Sequence, residues 1–400
     1  MSNHSDIAAS LPDITQAEVD AVSAALRSHE PGSLVVRFEQ RLADCVGRRH
    51  AVAVSNGTAG LHLSLIVAGV GEGDLVLTSA FSDIAVANAI LYQRAIPVFV
   101  DVDAASGNVS TELMMDAVKA LSDGGTEGQA WLPPAFRDGP SQQRKLKAVL
   151  PVHMLGQPLD LRPIVETANR HGIDVIEDAC QAIGSEHSGV KAGTYGDAAV
   201  FSFGQEAQIT TGEGGAITTD SDEWASQLRQ LRSHERGEDE PAAPRHQLTY
   251  AYGMRDINAA LGIVQLERMG ELLAQGDRVA QWYNDRLQDL DAIELPRRQY
   301  EATRLSWYAY VVRVRPPADR DALLSGLQQA GICARPYPIA VHLQPFLRDR
   351  LGYAPGDYPV AEELARTSLT LPFSGGMTES QVDLVCDAMR KVTDTSCRGA

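Results

Sequence analysis

Val200 to Asp220 reads VFSFGQEAQITTGEGGAITTD, and the rest of the chain is best read outward from it. Val200-Phe201-Ser202-Phe203 is a short apolar run with the length and composition of a buried strand. Gly212-Glu213-Gly214-Gly215 is too rich in glycine for a regular element and marks a tight turn, after which Ala216 to Thr219 reads as the returning strand. Between them lies a polar loop, Gly204-Gln205-Glu206-Ala207-Gln208, without a lysine, arginine or histidine.

The surrounding sequence alternates strands and helices. Ala51–Val54, Leu75–Thr78, Ile96–Asp101, Ala148–Val152 and Ile173–Glu177 are short apolar runs, and a helix is expected from Ile84 to Tyr92. This alternation predicts an α/β fold on a mostly parallel sheet. At the start, Thr15-Gln16-Ala17-Glu18 is a capping box followed by Val19, Val22 and Leu26 at helical spacing. Phe38, Leu42 and Cys45 mark a second helix, ended by Gly47. Leu121 to Arg144, rich in Gly, Pro, Ser and Gln, reads as a surface loop, and so does the charged run Glu235 to Pro244.

Four hundred residues with 44 % hydrophobic content suffice for a large core, and the length suggests one large domain and one smaller. A formal charge of −17 argues against nucleic acid or an anionic membrane as partner, because like charge repels. No run is long and apolar enough to span a bilayer, and Met1 to Leu11 lacks a signal-peptide core, so a cytoplasmic protein is expected. Five widely spaced cysteines fit reduced thiols better than a disulfide framework or a metal site, so no metal is expected.

Two segments carry chemistry on their own terms. Ser55-Asn56-Gly57-Thr58-Ala59-Gly60 joins a strand to a helix through small residues, and exposed amides at a helix start suit a phosphate, which makes Gly57, Thr58 and Ala59 candidates to hold one. Asp178 closes a predicted parallel strand, at the edge where α/β sheets gather ligand groups, although an Asp there is more often a helix cap.

Together these motifs resemble the DegT family of sugar and aminocyclitol aminotransferases, pyridoxal-phosphate enzymes of fold type I. The family motif runs Phe-Ser-Phe, three variable residues, Lys, two residues, then Thr-x-Gly-Glu-Gly-Gly, and the resemblance extends from about Gly32 to Val385. It implies a mostly parallel central sheet flanked by helices, with a smaller C-terminal α+β domain. The divisions expected are an N-terminal helix (1–30), a large cofactor-binding domain (31–272) and a small domain (273–400). It also implies a homodimer with the site at the interface. The expected substrate is a keto-sugar or keto-cyclitol, with glutamate or glutamine as amino donor, in sugar, secondary-metabolite or antibiotic biosynthesis.

Matched position by position, the resemblance makes Gly57, Thr58 and Ala59 the phosphate cup and Ser202 the phosphate-binding serine. Asp178 would keep the pyridine nitrogen protonated, and Gln181 would lie by the ring hydroxyl. Tyr337 and His342 fall in the substrate-side loop, where a structural role for His342 is the first reading. Three positions depart. The cofactor-bearing lysine falls on Ala207, the ring-stacking aromatic on Asp83, with Phe81 as a possible substitute, and the Asn that reaches the partner's cofactor phosphate on Ala251. Alanine can neither hold the cofactor covalently nor shuttle a proton. Only five lysines occur, and the nearest, Lys191, reads as a loop cation.

Three readings follow. An aminotransferase with its lysine deliberately replaced explains Ala207 but not Asp83 or Ala251. A naturally lysine-less member would use pyridoxal or pyridoxamine phosphate non-covalently, or no cofactor, for dehydration or isomerisation of a keto-sugar. A non-catalytic partner or scaffold would keep the cleft as a remnant.

Overall fold

The computed structural model describes residues 10–28, 32–138, 144–234, 248–297 and 302–398. The run expected as a loop at Glu235–Pro244 therefore lies outside the described residues. The central sheet takes its strands from seven apolar segments: β1 (His50–Val54), β2 (Leu75–Ser79), β3 (Ile96–Val100), β4 (Leu146–Leu150), β5 (Asp174–Asp178), β6 (Ala198–Ser202) and β7 (Gly215–Thr219). Their order is β1-β7-β6-β5-β4-β2-β3. β7 is antiparallel to both neighbours, and β6, β5, β4, β2 and β3 pair in parallel. Strands covered on both faces need apolar side chains at nearly every position, which these segments supply.

Alternation along β6 explains the Phe-Ser-Phe motif. Phe201 and Phe203 point to one face and pack with Val35, Phe38 and Leu42 of helix α2 (Ser33–Val46), Phe38 meeting Phe203 edge-on with ring centroids 5.5 Å apart. Val200 and Ser202 point to the other face, toward helix α3 (Gly57–Val67). A period of two thus buries two aromatic rings and turns the hydroxyl between them toward the helix start.

The capping box forms as expected and starts helix α1 (Gln16–Arg27). This helix docks through a polar contact: buried Glu18 accepts hydrogen bonds from Arg268 Nη1 (2.6 Å) and Gln265 Nε2 (2.8 Å) of the long helix Asp256–Leu287, while Val19 and Leu26 stay exposed.

The long helix passes residues 272 and 273 without a break, and its last turns supply Val279, Tyr283 and Leu287 to a second core with Tyr310, Val312, Leu323, Leu369 and Met389. A three-stranded antiparallel sheet, Ile293–Glu294, Tyr310–Val314 and Ser368–Leu371, belongs to this part. It grips the first part through a two-residue ladder: Phe81–Ser82 pairs with Ile339–Ala340, and Val341 N–H donates to the Ala80 carbonyl at 2.9 Å.

The loop expected over Leu121–Arg144 is largely helical where described. A helix capped by Ser110 runs Thr111–Asp123, a second runs Gly125–Trp131, and Pro134–Phe136 forms a 3₁₀ turn. Glycine here serves close approach rather than disorder, since a Cβ on Gly128 would sit 2.6 Å from the Ala120 carbonyl oxygen.

Candidate active site

Three chain segments meet at the carboxyl edge of the sheet. After β1, the Asn56 side chain caps α3 by accepting the Ala59 N–H at 2.8 Å, which leaves the Gly57 and Thr58 amides for another acceptor. A Cβ on Gly57 would lie 2.9 Å from Cys180 Sγ and 3.3 Å from Ser202 Oγ, so the helix start, the end of β6 and the segment after β5 are packed together. Beneath them, a Cβ on Gly215 would lie 2.5 Å from the Asn56 carbonyl carbon and 2.8 Å from the Gly57 nitrogen. The last glycine of the turn motif is therefore the floor of the Asn56–Gly57 turn, a role its spacing did not reveal. Ser55 N–H donates to the Tyr252 carbonyl at 2.6 Å, which brings exposed Ala251 to the rim of the same turn.

Asp178 ends β5 only 5 % exposed, with its Oδ1 accepting the Cys180 N–H at 3.0 Å. Burial pushes its carboxyl above the usual range and Asp83 adds to the push, against the hydrogen bonds from Cys180. Gln181 is fixed at both ends of its amide: Oε1 accepts the Leu155 N–H at 2.8 Å, and Nε2 donates to the Tyr337 hydroxyl at 2.6 Å. Burial, with Tyr308 and Asp83 nearby, holds the Tyr337 phenol well above its ordinary range. It is a proton donor at neutral pH.

The loop carrying Ala207 is tied down on both sides. Glu206 receives a two-pronged ion pair from Arg335, Nη1 to Oε1 at 2.8 Å and Nη2 to Oε2 at 2.6 Å, and the guanidinium carbon lies 5.3 Å from the centre of the Tyr337 ring. Gln208 Nε2 donates to the Gln181 carbonyl at 2.6 Å and to Ser306 Oγ at 2.8 Å. Ala207 itself borders a cavity with Glu206, Gln208, Trp307 and Tyr308. Arg335 and Glu206 were not among the residues singled out from sequence, because 129 positions separate them and neither belongs to a local pattern.

The structure brings together Gly57, Ser202, Asp178, Gln181 and Tyr337, with Ala207 and Asp83 beside them. Asp83 is the N-cap of helix α4 (Ile84–Tyr92), its Oδ1 accepting the Ala85 N–H at 2.9 Å. Phe81 does not substitute for a stacking aromatic: it is buried, against Gly107, and lines a cavity with Leu305 and Trp307. His342 does not reach the cleft. It is fully buried, 3.1 Å from Glu362 Oε1 through Nε2 and edge-on to Tyr358, a packing role that its neighbours in sequence did not distinguish from a ligand role. Lys191 donates to the Cys45 carbonyl at 2.7 Å, so it does not stand in for the missing lysine.

A singly reversed strand in a seven-stranded sheet, a small-residue turn after β1 and an acid closing β5 agree with the fold type I class of pyridoxal-phosphate enzymes, to which the comparisons assign the chain. The sequence profile of the DegT/DnrJ/EryC1/StrS aminotransferase family matches residues 12–390, and the chain belongs to that family. It is 36 % identical to the GDP-perosamine synthase of Caulobacter vibrioides, over 90 % of each chain. The crystal structure of a DegT DnrJ EryC1 StrS aminotransferase from Brucella abortus superposes with a TM-score of 0.81 at 29 % identity, covering 94 % of this chain and 95 % of that one. The Streptococcus pneumoniae protein Spr1654 in its PMP-form superposes with a TM-score of 0.86 at 25 % identity, covering 98 % and 99 %.

The residues present fit the two ends of such a cofactor and not its covalent attachment. Gly57, where a Cβ has no room, and the amides beside it suit a phosphate, and a buried carboxyl at the end of β5 suits a protonated ring nitrogen. Nothing at position 207 can form the covalent link.

Proposed function

We propose that this chain holds a vitamin B6 phosphate non-covalently and acts on a keto-sugar or keto-cyclitol without a covalent enzyme–cofactor stage. The amides of Gly57 and Thr58, the small Ala59 and the hydroxyl of Ser202 hold the phosphate, Asp178 holds a proton at the ring nitrogen, and Gln181 orients the ring edge. The cofactor, when bound, supplies an electron-withdrawing ring next to the reacting carbon. Tyr337, a protonated phenol backed by Gln181, can donate a proton to a substrate oxygen, while position 207 supplies no base. Amination from glutamate or glutamine, which needs a proton carrier at that position, is disfavoured, and the alternative carried here, dehydration or isomerisation of the keto-sugar, passes its proton to solvent rather than to position 207.

The observation that carries this reading is the pinning of the loop on both sides of Ala207, by Glu206 to Arg335 and by Gln208 to Gln181. A cleft kept only as a remnant would not need its lysine loop held against the cofactor acid's own segment. The same reading includes a homodimer, supported by the exposed Leu11, Ile14, Leu26, Val36 and Ile257, and a cytoplasmic setting. Among the described residues no helix is long and apolar enough to cross a membrane.

The test is an absorbance titration with pyridoxal phosphate on this chain and on Ala207→Lys, each followed by borohydride and by glutamate. Saturable binding is expected for both, and a reducible covalent link that glutamate discharges for the lysine variant alone. A native chain that does not bind the cofactor overturns the reading.

A further inference from the structure

A separate cavity lies next to the cleft. Phe81, Leu155, Leu305, Trp307, Ala309 and Val311 wall it with apolar surface, and none of Gly57, Asp178, Gln181, Ser202, Ala207 and Tyr337 lines it. Counted out to its mouth at exposed Ala104 and Ala105, the space is about 590 Å³, a size at which small molecules bind.

Gln157 brings an amide to this wall and is only 7 % exposed. Its Nε2 donates to the Arg297 carbonyl at 2.8 Å, which fixes the orientation of the amide, since the reverse would set oxygen against oxygen. Its Oε1 is buried and, among the described residues, receives no hydrogen bond. A buried acceptor without a donor bears its desolvation cost unrelieved. The charged residues at this cavity pair among themselves, Glu294 with Arg313 at 2.8 Å and with Arg297 at 3.9 Å, which favours a neutral occupant.

The wall is also held rigid. Leu155 (φ 56°) and Trp307 (φ 52°) both adopt left-handed backbone, which is unfavourable for a residue other than glycine and persists only where the surroundings enforce it. Here Leu155 N–H donates to Gln181 Oε1 at 2.8 Å, and Trp307 Nε1 donates to Asp277 Oδ1 at 2.9 Å while its ring stacks on Tyr310. The plain alternative is a packing seam in which Gln157 only anchors Arg297.

We propose that this cavity is a binding site for a small neutral aromatic or heteroaromatic ring with one N–H or O–H donor. The apolar walls enclose the ring, and the donor pairs with Gln157 Oε1. A ring without a donor would leave that oxygen buried and unpaired. The inference does not rest on the cofactor reading.

The experiment compares indole with benzofuran, which keeps the ring shape and lacks the N–H, in calorimetric titrations of the native chain, Gln157→Met and Ala309→Leu, with a thermal melt of each. The native chain should bind indole about tenfold more tightly than benzofuran, and Gln157→Met should reduce that preference to within about twofold. Ala309→Leu, which fills the cavity, should weaken both ligands about tenfold or more. Absence of indole binding to the native chain, equal binding of the two ligands, a preference that survives in Gln157→Met, or binding undisturbed in Ala309→Leu each overturns the inference. Should a variant fail to fold, native crystals soaked in bromoindole decide the matter. Bromine located between Phe81, Leu305 and Trp307 supports the site, and bromine elsewhere or nowhere overturns it.

Discussion

At the turn between β1 and α3, Gly215 lies so close under Asn56 and Gly57 that a methyl group has nowhere to go, whereas on the loop before Ala207 a Cβ added to Gly204 meets nothing within 4 Å. The first end is fixed by backbone against backbone. The second is fixed by side chains, through the pairs Glu206–Arg335 and Gln208–Gln181. The three positions read from sequence as departures from the family pattern, Ala207, Asp83 and Ala251, all lie outside this packed floor. Anchoring of a ligand and chemistry upon it are therefore separable here, and substitutions can probe them one at a time.

The largest effect is expected where backbone meets backbone. Gly215→Val should cost about 3 kcal/mol or more, because neither the Asn56 carbonyl nor the turn can yield, while Gly204→Ala should stay within about 0.5 kcal/mol. Urea unfolding of the two variants measures the contrast directly, and equal losses would mean that the two ends are equally rigid. Next in size, if Asp178 has the proposed role, Asp178→Asn should weaken pyridoxamine phosphate binding about a hundredfold with the fold intact, since it removes the buried carboxyl that ends β5. A binding isotherm unchanged by that substitution would remove the ring-nitrogen assignment. Arg335→Met should cost about 1–2 kcal/mol, as the two-pronged pair and the contact with the Tyr337 ring are both partly exposed. It should also loosen the loop around Ala207, read as faster cleavage there by a non-specific protease.

What could be read from sequence follows the same division. The Phe-Ser-Phe alternation, the capping box at Thr15, the turn at Asn56 and the acid at the end of β5 are local patterns, each set by the period of its own element. Contacts made across the chain left no such mark. Gly215 reads as a turn glycine until Asn56 is known to lie above it, and the Glu206–Arg335 pair joins residues 129 positions apart. Gly128 reads as loop because close helix packing and loop flexibility draw on the same residue type. Phe81 was placed by position along a motif and is buried, whereas His342, read first as structural, is fully buried as that reading expects.

The smallest effect sets the two ends of a single strand against each other. β5 begins at Asp174 and ends at Asp178, and each carboxyl is raised by burial first and by a second carboxylate after it, Asp197 for the one and Asp83 for the other. Asp174 is pushed up to about 6, with Lys147 drawing it partly back. An acid raised in the folded chain is ionised at a penalty above its folded value, and the penalty vanishes once both folded and unfolded chains are protonated. Asp174→Asn should therefore stabilise the chain by about 1 kcal/mol at pH 7.5, after discounting for partial exposure, with the gain fading between about pH 6 and pH 4. Urea melts across that range measure it, and a gain that persists at pH 4 would point to a cause other than the buried charge. Asp178→Asn should relieve the same kind of strain while losing the ligand. Electrostatic cost is thus common to both ends of β5, and only the end facing the phosphate turn, Gln181 and Tyr337 has neighbours that give the cost a use.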